Sequence, residues 1–439
     1  MILLTLVIFS LIVSRAYTKN LRQSVKNAPR TNGSVAQQLF PSAGDFPKIS
    51  VIVPAYNEAE NIRDCAIAIL ESTALSADKL EVLIVDDRST DDTKAIAQTL
   101  QQQPGDPRLK ILAGEARPEN QYWAGKNWAC AQAVREATGE FLLFIDADVR
   151  LKPGAIETAI ATAETEKIDL LTCMPALVCG CFSEWLVQPL MFNNLAVCFD
   201  FTAVNDATKT DSAFAGGPFM LFRRSAYEKI GGHEAVAGEI VEDVELARRI
   251  KRASLKLGLY SGSNLASVRM YRSWSALWEG WTKNLYLGAN RSWGSMFYMA
   301  AIMFFLYPMP WLALAILLAN GEIANIINNH QLAISNYHLP ITLLTICLSA
   351  IVIGYHYTLR RLGAEISECP TKYWWLGGLG GTLIAAIAIG SAIKTETGWG
   401  WTWRGRALQI TIINPDFAFT KISGRVRQLS IRLTFRQTN

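Results

Sequence analysis

Apolar residues are spread unevenly along these 439 residues, and this limits the possible folds more than any other feature. Strongly apolar stretches lie at residues 296–319, 338–354 and 373–393, and another opens the chain at residues 1–13. A run of ~20 apolar residues is long enough to cross a bilayer, whose interior leaves the backbone no hydrogen-bonding partner but itself. Residues 48–294, by contrast, have the composition of an ordinary globular domain. The chain therefore divides into an N-terminal membrane anchor (1–17), a polar tether (18–47), a globular domain (48–294), a transmembrane or re-entrant region (295–394) and a basic tail (395–439).

The charges around the apolar runs set an orientation. Arg15, Lys19, Arg22, Lys26 and Arg30 follow the first run, with no acid before Asp45. A cleavable leader carries its charge ahead of the apolar core, so this pattern indicates a retained anchor with its basic flank, and the domain behind it, in the cytoplasm. The loop after residue 319 contains Glu322 and no Lys or Arg, which places it outside, whereas Arg360, Arg361 and Lys372 place the next loop inside. Three full spans then leave the tail outside. Yet that tail carries Lys394, Arg404, Arg406, Lys421, Arg425, Arg427, Arg432 and Arg436 against Glu396 and Asp416, which indicates the inside. Pro308 and Pro310 interrupt one stretch, and Gly377, Gly378, Gly380 and Gly381 another, so one is expected to be re-entrant or interfacial and the tail cytoplasmic. The expectation is a multi-pass protein of the cell membrane. A net charge of +4, scattered along the chain, does not support nucleic-acid binding. The eight cysteines form no regular framework and are expected to be free thiols in a reducing compartment.

Within the globular domain, strands alternate with helices. Residues 49–53, 80–85, 110–113 and 141–145 have strand character; residues 57–70, 92–102 and 127–138 have helical spacing. That alternation predicts an α/β fold with a mostly parallel sheet and right-handed crossovers, in which ligands bind beyond the carboxyl ends of the strands. Those ends carry Pro54-Ala55-Tyr56-Asn57-Glu58, Asp86-Asp87 and Asp146-Ala147-Asp148.

Asp146 and Asp148 lie two apart at a strand end and project to one side. Two close carboxylates repel unless a cation joins them, and Mg²⁺ or Mn²⁺ bridging to a diphosphate suits the pair; a strand-terminal turn with capping aspartates is the plainer alternative. Asp86 and Asp87 can hydrogen-bond a nucleobase and ribose, and Lys126 brings a cation near a diphosphate. Glu242 and Asp243 open a later helix, where the dipole favours acids, so they either cap it or supply a general base.

The ordered set VIVPAYNE, VDDRSTDDT, GKNWA, FIDADV, GGPFMLFRR and EDVEL resembles the family 2 glycosyltransferases of the GT-A fold over roughly residues 48–290. The resemblance implies Pro54, Tyr56, Glu58, Asp86, Asp87, Lys126 and Asp146 around a nucleotide-sugar donor, with Asp86 and Asp87 toward uridine. It implies Asp148, with Asp146, on the metal, and Asp243, beside Glu242, as the base that deprotonates the acceptor. Direct displacement at the anomeric carbon then inverts it. Processive synthases of this family carry Gln-x-x-Arg-Trp in the next helix; here Glu279-Gly280-Trp281-Thr282-Lys283-Asn284 stands instead, which argues against processivity, gives Lys283 the cation's part and Trp281 an acceptor-stacking part.

Two apolar segments, 182–204 and 271–293, bear on the acceptor; each is either a core helix or an interfacial one, and the Trp-rich second, abutting the apolar run, is expected at the membrane interface. The overall layout looks most like bacterial carotenoid glycosyltransferases, with hopanoid-associated relatives close behind, which implies a polyisoprenoid alcohol drawn from the membrane as acceptor. Polyprenyl phosphate is a further alternative. A GT-A-like nucleotidyltransferase and a non-catalytic membrane scaffold are the rival classes.

Overall fold

In the computed structural model, residues 1–102, 105–119, 121–321, 323, 338–400 and 402–407 are described. Trp401, Glu322 and the basic residues from Lys421 to Arg436 lie outside them. The β-branched run Ile49–Ala55 forms β1, followed by β2 (Leu80–Asp86), β3 (Leu109–Ala113), β4 (Phe141–Ile145), β5 (Val149–Leu151), β6 (Leu170–Leu177), β7 (Phe219–Arg223) and β8 (Leu257–Val268). These make one sheet in the order β3-β2-β1-β4-β7-β6-β8-β5. β3, β2, β1 and β4 run parallel; β7 is antiparallel to β4 and β6, and β5 to β8. β1 and β2 are buried almost throughout, as expected of central strands covered on both faces. The α/β fold with a mostly parallel sheet is as expected.

That strand order fixes where a ligand can sit. From β1 the chain moves outward to β2 and β3, then returns across β1 to lay down β4 on its other side. The connections after β1 and β4 therefore diverge and leave a crevice at their carboxyl ends. Antiparallel β7, with Phe219 opposite Ile145, brings Gly217 and Pro218 to the same edge.

The N-terminal region departs from the expected short anchor and loose tether. A single helix, α1 (Ile2–Asn27), runs on past Tyr17, because the sequence has no helix breaker before Pro29. Its second half is packed: Tyr17, Leu21 and Val25 are buried, Ser24 Oγ donates to the Ala196 carbonyl at 2.5 Å, and Asn27 Nδ2 donates to Thr202 Oγ1 at 2.9 Å. Residues 28–31 are stitched to β8, with the Ser261 N–H donating to the Pro29 carbonyl at 2.8 Å and Asn264 Nδ2 to Thr31 Oγ1 at 2.9 Å.

Among the described residues three helices are long and apolar enough to cross a membrane: Ile2–Asn27, Leu339–Ser367 and Trp374–Thr397. A bent pair, Trp293–Leu306 and Pro308–Ala319, turns by 51° at its break, where Pro308 cannot donate to the preceding turn. The Leu339–Ser367 helix runs alongside α1 in the same direction: Val7 lies near Leu348, and Arg30 Nη2 donates to the Glu365 carbonyl at 2.9 Å. The Gly377–Thr397 helix, however, touches the globular domain at both ends. A Cβ on Gly380 would lie 2.4 Å from the Leu186 carbonyl oxygen, so only Gly permits that approach. Further on, Ser391 Oγ donates to the Thr282 carbonyl at 2.6 Å, and Glu396 pairs with Arg291 at 3.5 Å.

The two segments expected to bear on the acceptor form helices Phe182–Cys198 and Trp274–Gly288. The first is largely buried, and Leu277, Trp281 and Tyr286 of the second are buried too, while Trp274 remains exposed. Both serve as packing surface for the apolar helices.

Candidate active site

The loops beyond β1 and β2 are bonded to each other. Asn57 and Arg88 both have left-handed backbone, with φ of 54° and 60°. Asn57 Oδ1 accepts from the Thr90 N–H at 2.9 Å, Ser89 Oγ from the Asn57 N–H at 3.0 Å, and Thr93 Oγ1 from the Glu58 N–H at 2.7 Å. This lacing delays the following helix, expected from residue 57, to Ile62–Glu71. It also builds one wall of a cleft of about 530 Å³ at the crevice.

Pro54, Tyr56, Glu58, Asp87, Lys126, Asp146, Asp148, Glu242, Asp243 and Lys283 all line this cleft. Two of the expected residues do not. Asp86 is buried at the end of β2, where its Oδ1 accepts from the Ser89 N–H at 3.3 Å, so it shapes the loop. Trp281 points into the protein, donating its indole N–H to Gln188 Oε1 at 2.7 Å and meeting the Tyr271 ring edge-on. Its face is unavailable for stacking on an acceptor.

Lys126, at the start of helix Gly125–Glu136, joins the two acidic clusters: its Nζ lies 2.7 Å from Asp146 Oδ1 and 2.7 Å from Glu242 Oε1. Burial opposes its charge, but the two carboxylates outweigh burial and hold its pKa well above the ordinary lysine value. Asp243, at the first turn of helix Glu242–Arg252, accepts from the Gly217 N–H at 2.9 Å and the Val244 N–H at 2.8 Å. Burial, then the adjacent Glu242 charge, push its pKa up to about 7 despite Lys126. Burial draws Lys283 down to about 8; its ammonium sits 4.0 Å from the centre of the Trp403 ring.

Asp148 tests whether a cation belongs here. Its pKa is pushed well above the carboxylate range, first by burial and then by Asp146, and its buried Oδ1 has no hydrogen-bond partner among the described residues. A buried acceptor left without a partner is costly, and a divalent cation between Asp146 and Asp148 relieves both the desolvation and the repulsion. The residues fit such an ion. Among the described residues no group of three or more His, Cys, Asp or Glu could hold a metal ion, so a cation at this pair would need further ligands from outside the protein.

The segment 401–406, which in sequence is similar to an element that follows the last span in lipid-modifying members of the family, contributes Thr402–Trp403 to a short hairpin with Arg406–Ala407 that lies over the cleft. Arg404 pairs with Glu58 at 2.7 Å; Arg406 pairs with Asp87 at 2.5 Å and stacks 3.4 Å from the centre of the Tyr56 ring. Arg117 reaches the same Asp87 oxygen at 3.1 Å. Glu279 anchors the hairpin, accepting from Thr402 Oγ1 at 2.5 Å and from the Arg404 N–H at 3.2 Å. The Arg404-Gly405-Arg406 spacing was visible in the sequence, but nothing local indicated a partner more than 300 residues away. The Arg404→Ala/Arg406→Ala double variant is expected to release the hairpin, since each charge-assisted bond contributes roughly 1.5–3 kcal/mol. Limited proteolysis of the segment after Thr397 should then accelerate on the order of tenfold; an unchanged cleavage rate removes the arginines as its clasp.

The sequence model described as Glycosyl transferase family 2 matches residues 50–231, and that described as Glycosyl transferase family group 2 matches residues 141–389, more than half of the chain. The chain belongs to the family 2 glycosyltransferases. Among curated proteins it is similar to the 4,4'-diaponeurosporenoate glycosyltransferases of Staphylococcus haemolyticus (strain JCSC1435) and Staphylococcus aureus (strain USA300). Each is 28% identical over 245 residues, which cover 55% of this chain and 62% of the relative. The matched region thus spans 62% of the length of these relatives. Among solved structures it is similar to the mannosyltransferase PcManGT from Pyrobaculum calidifontis in complex with GDP-Man and Mn²⁺, at 18% identity and a TM-score of 0.48, over 89% of this chain and 98% of that one. S. aureus TarS 1–349 in complex with UDP gives 18% identity and a TM-score of 0.35, over 54% of this chain and 63% of that one.

Proposed function

We propose that this glycosyltransferase moves a hexose from a UDP-linked donor to a hydroxyl of a membrane lipid, a carotenoid-type polyisoprenoid, at the cytoplasmic face of the cell membrane, with inversion at the anomeric carbon. The observation that carries the reading is that Asp243 shares one cleft with the Asp146–Asp148 pair, with Lys126 set between the two acidic clusters. The likeness to diaponeurosporenoate glycosyltransferases supports the class of acceptor.

The donor diphosphate fits among Lys126, Lys283, Arg404 and Arg406, cations that stabilise charge developing on the leaving UDP. Asp146 and Asp148 are placed to hold Mg²⁺ or Mn²⁺, which when bound supplies further stabilisation of the diphosphate charge. Asp87 and Tyr56 border the part of the cleft assigned to the nucleoside. Asp243 takes the proton of the acceptor hydroxyl as its oxygen bonds to the anomeric carbon and the bond from that carbon to the diphosphate oxygen breaks.

The helices favour the membrane placement. α1, the Leu339–Ser367 helix and Pro308–Ala319 supply the apolar surface that enters the bilayer, with the domain at the basic ends of the first two. The Gly377–Thr397 helix, held to the domain at both ends, lies along it rather than crossing, which keeps the tail cytoplasmic and lets the hairpin reach the cleft.

Asp243 acts as a base only when ionised, a fraction that grows with pH through about 7, while Lys283 loses its charge through about 8. Transfer is therefore expected to follow a bell with limbs near those values, read at saturating donor; an acidic limb near pH 4 removes Asp243 as the base. The proposal as a whole is tested with the full chain in lipid nanodiscs, UDP-glucose and Mn²⁺. Mass spectrometry should find a glycosylated polyisoprenoid alcohol and stoichiometric UDP. Transfer only to a hydroxylated hopanoid or to polyprenyl phosphate reassigns the acceptor, and UDP release without any lipid product overturns the lipid reading.

A further inference from the structure

Outside the catalytic cleft, a second groove of about 370 Å³ lies between two apolar helices, lined by Arg15, Ala16, Thr18, Lys19 and Arg22 of α1 and by Tyr355 of the Leu339–Ser367 helix. The three cations recur at spacings of four and three, so they occupy one helix face, where like charges destabilise one another. Among the described residues no acid lines the groove, and none of the three has a carboxylate partner. The groove's level along the helices is set by their contacts. Val7, about 12 Å of helix before Arg15, packs with Met309 and Ala313 in the apolar cluster, and Asn27, about 18 Å beyond it, is bonded to Thr202 of the domain. The cations thus stand where the apolar part of the bundle gives way to the domain.

A basic flank alone satisfies the orientation rule for a membrane helix; it requires neither a concavity nor a wall from a second helix. We propose that this groove is a phosphate site that holds the phosphodiester headgroup of an anionic phospholipid, resting on the membrane placement given above. Arg15 and Arg22 suit a phosphate geometrically, since each guanidinium offers a planar fork of donors; Lys19 adds a compact charge and Tyr355 a phenolic O–H. The acyl chains continue along the apolar halves of the same helices, where Ile8, Phe9, Ile12 and Ile351 are exposed. The occupant relieves the repulsion along α1 and ties it to the neighbouring helix.

The test uses the full chain reconstituted into vesicles of equimolar phosphatidylglycerol and phosphatidylcholine, released and weighed by native mass spectrometry with its retained lipid. The wild type is expected to retain phosphatidylglycerol over phosphatidylcholine by about tenfold or more. In R15Q/K19Q/R22Q that ratio should approach one, and in the charge-conserving R15K/K19R/R22K it should largely persist. An unchanged ratio in the neutral triple variant overturns the site. If inorganic phosphate raises the melting temperature of the wild type but not of the neutral variant, while neither prefers phosphatidylglycerol, the occupant is free phosphate and the lipid assignment is overturned. Extraction of the protein from vesicles by alkaline carbonate overturns the membrane placement itself, a result separate from stable insertion without lipid preference.

Discussion

Asp243→Asn is expected to cut sugar transfer by roughly 10²–10⁴ while leaving UDP-sugar binding near its wild-type value. Asn has nearly the shape of Asp, so its one carbonyl oxygen can still accept from either the Gly217 or the Val244 N–H, which leaves helix Glu242–Arg252 in place with one of the two bonds lost. What disappears is the carboxylate proposed as the base, whose pKa burial and the adjacent Glu242 push up to about 7. Donor binding is assigned, in the proposed function, to other groups, Lys126 and the Asp146–Asp148 pair among them. Calorimetric UDP binding and single-turnover transfer measured on the same preparation separate the two. Near-normal turnover takes the base away from this position. Gly217 provides a second handle on the same atom: a Cβ there would lie 2.9 Å from Asp243 Oδ2 and 3.3 Å from Lys126 Nζ, so Gly217→Ala should depress transfer by displacing the carboxylate.

Asp148→Ala should abolish metal-dependent donor binding and lower transfer on the order of 10³-fold or more, since an ion that neutralises the diphosphate contributes several kcal/mol to the transition state. A readout independent of activity accompanies it. Burial and the charge of Asp146 hold the Asp148 carboxyl well above its ordinary pKa, so the folded state binds its proton more tightly than the unfolded chain does. The metal-free protein therefore loses stability as pH rises from the ordinary carboxylate range toward that raised pKa. Removing the carboxylate removes this penalty, and at neutral pH in chelator the variant should melt no lower than the wild type. Retained metal-dependent UDP-sugar affinity in Asp148→Ala, or a large fall in melting temperature in chelator, argues against a cation held by this pair.

Much of the site was legible because local sequence places it. A strand that is apolar on both faces stops where acids begin, so Asp87, Asp146 and Asp148 had to lie at the carboxyl edge of a parallel sheet, and Lys126 and Asp243 at helix starts facing it. Asp86 was less legible. It and Asp87 are adjacent, and only the turn after β2 decides that Asp87 faces the cleft while Asp86 bonds to the Ser89 N–H. Trp281 was misjudged for a similar reason: helical spacing gives a residue's face, but whether that face meets a ligand or Gln188 depends on the helix packed against it.

The division into apolar and globular parts, the class of sheet and the chemistry along its edge follow from hydrophobic period and residue type within a few positions, and so could be read from the chain alone. The packed fold was needed to reveal that α1 continues as one helix packed on the domain, that the Gly377–Thr397 helix contacts the domain, and that Arg406 reaches Asp87 across 319 positions. Those contacts depend on how distant surfaces fit, through small-residue approaches such as Gly380 and through charges that find their partners only after the chain has folded.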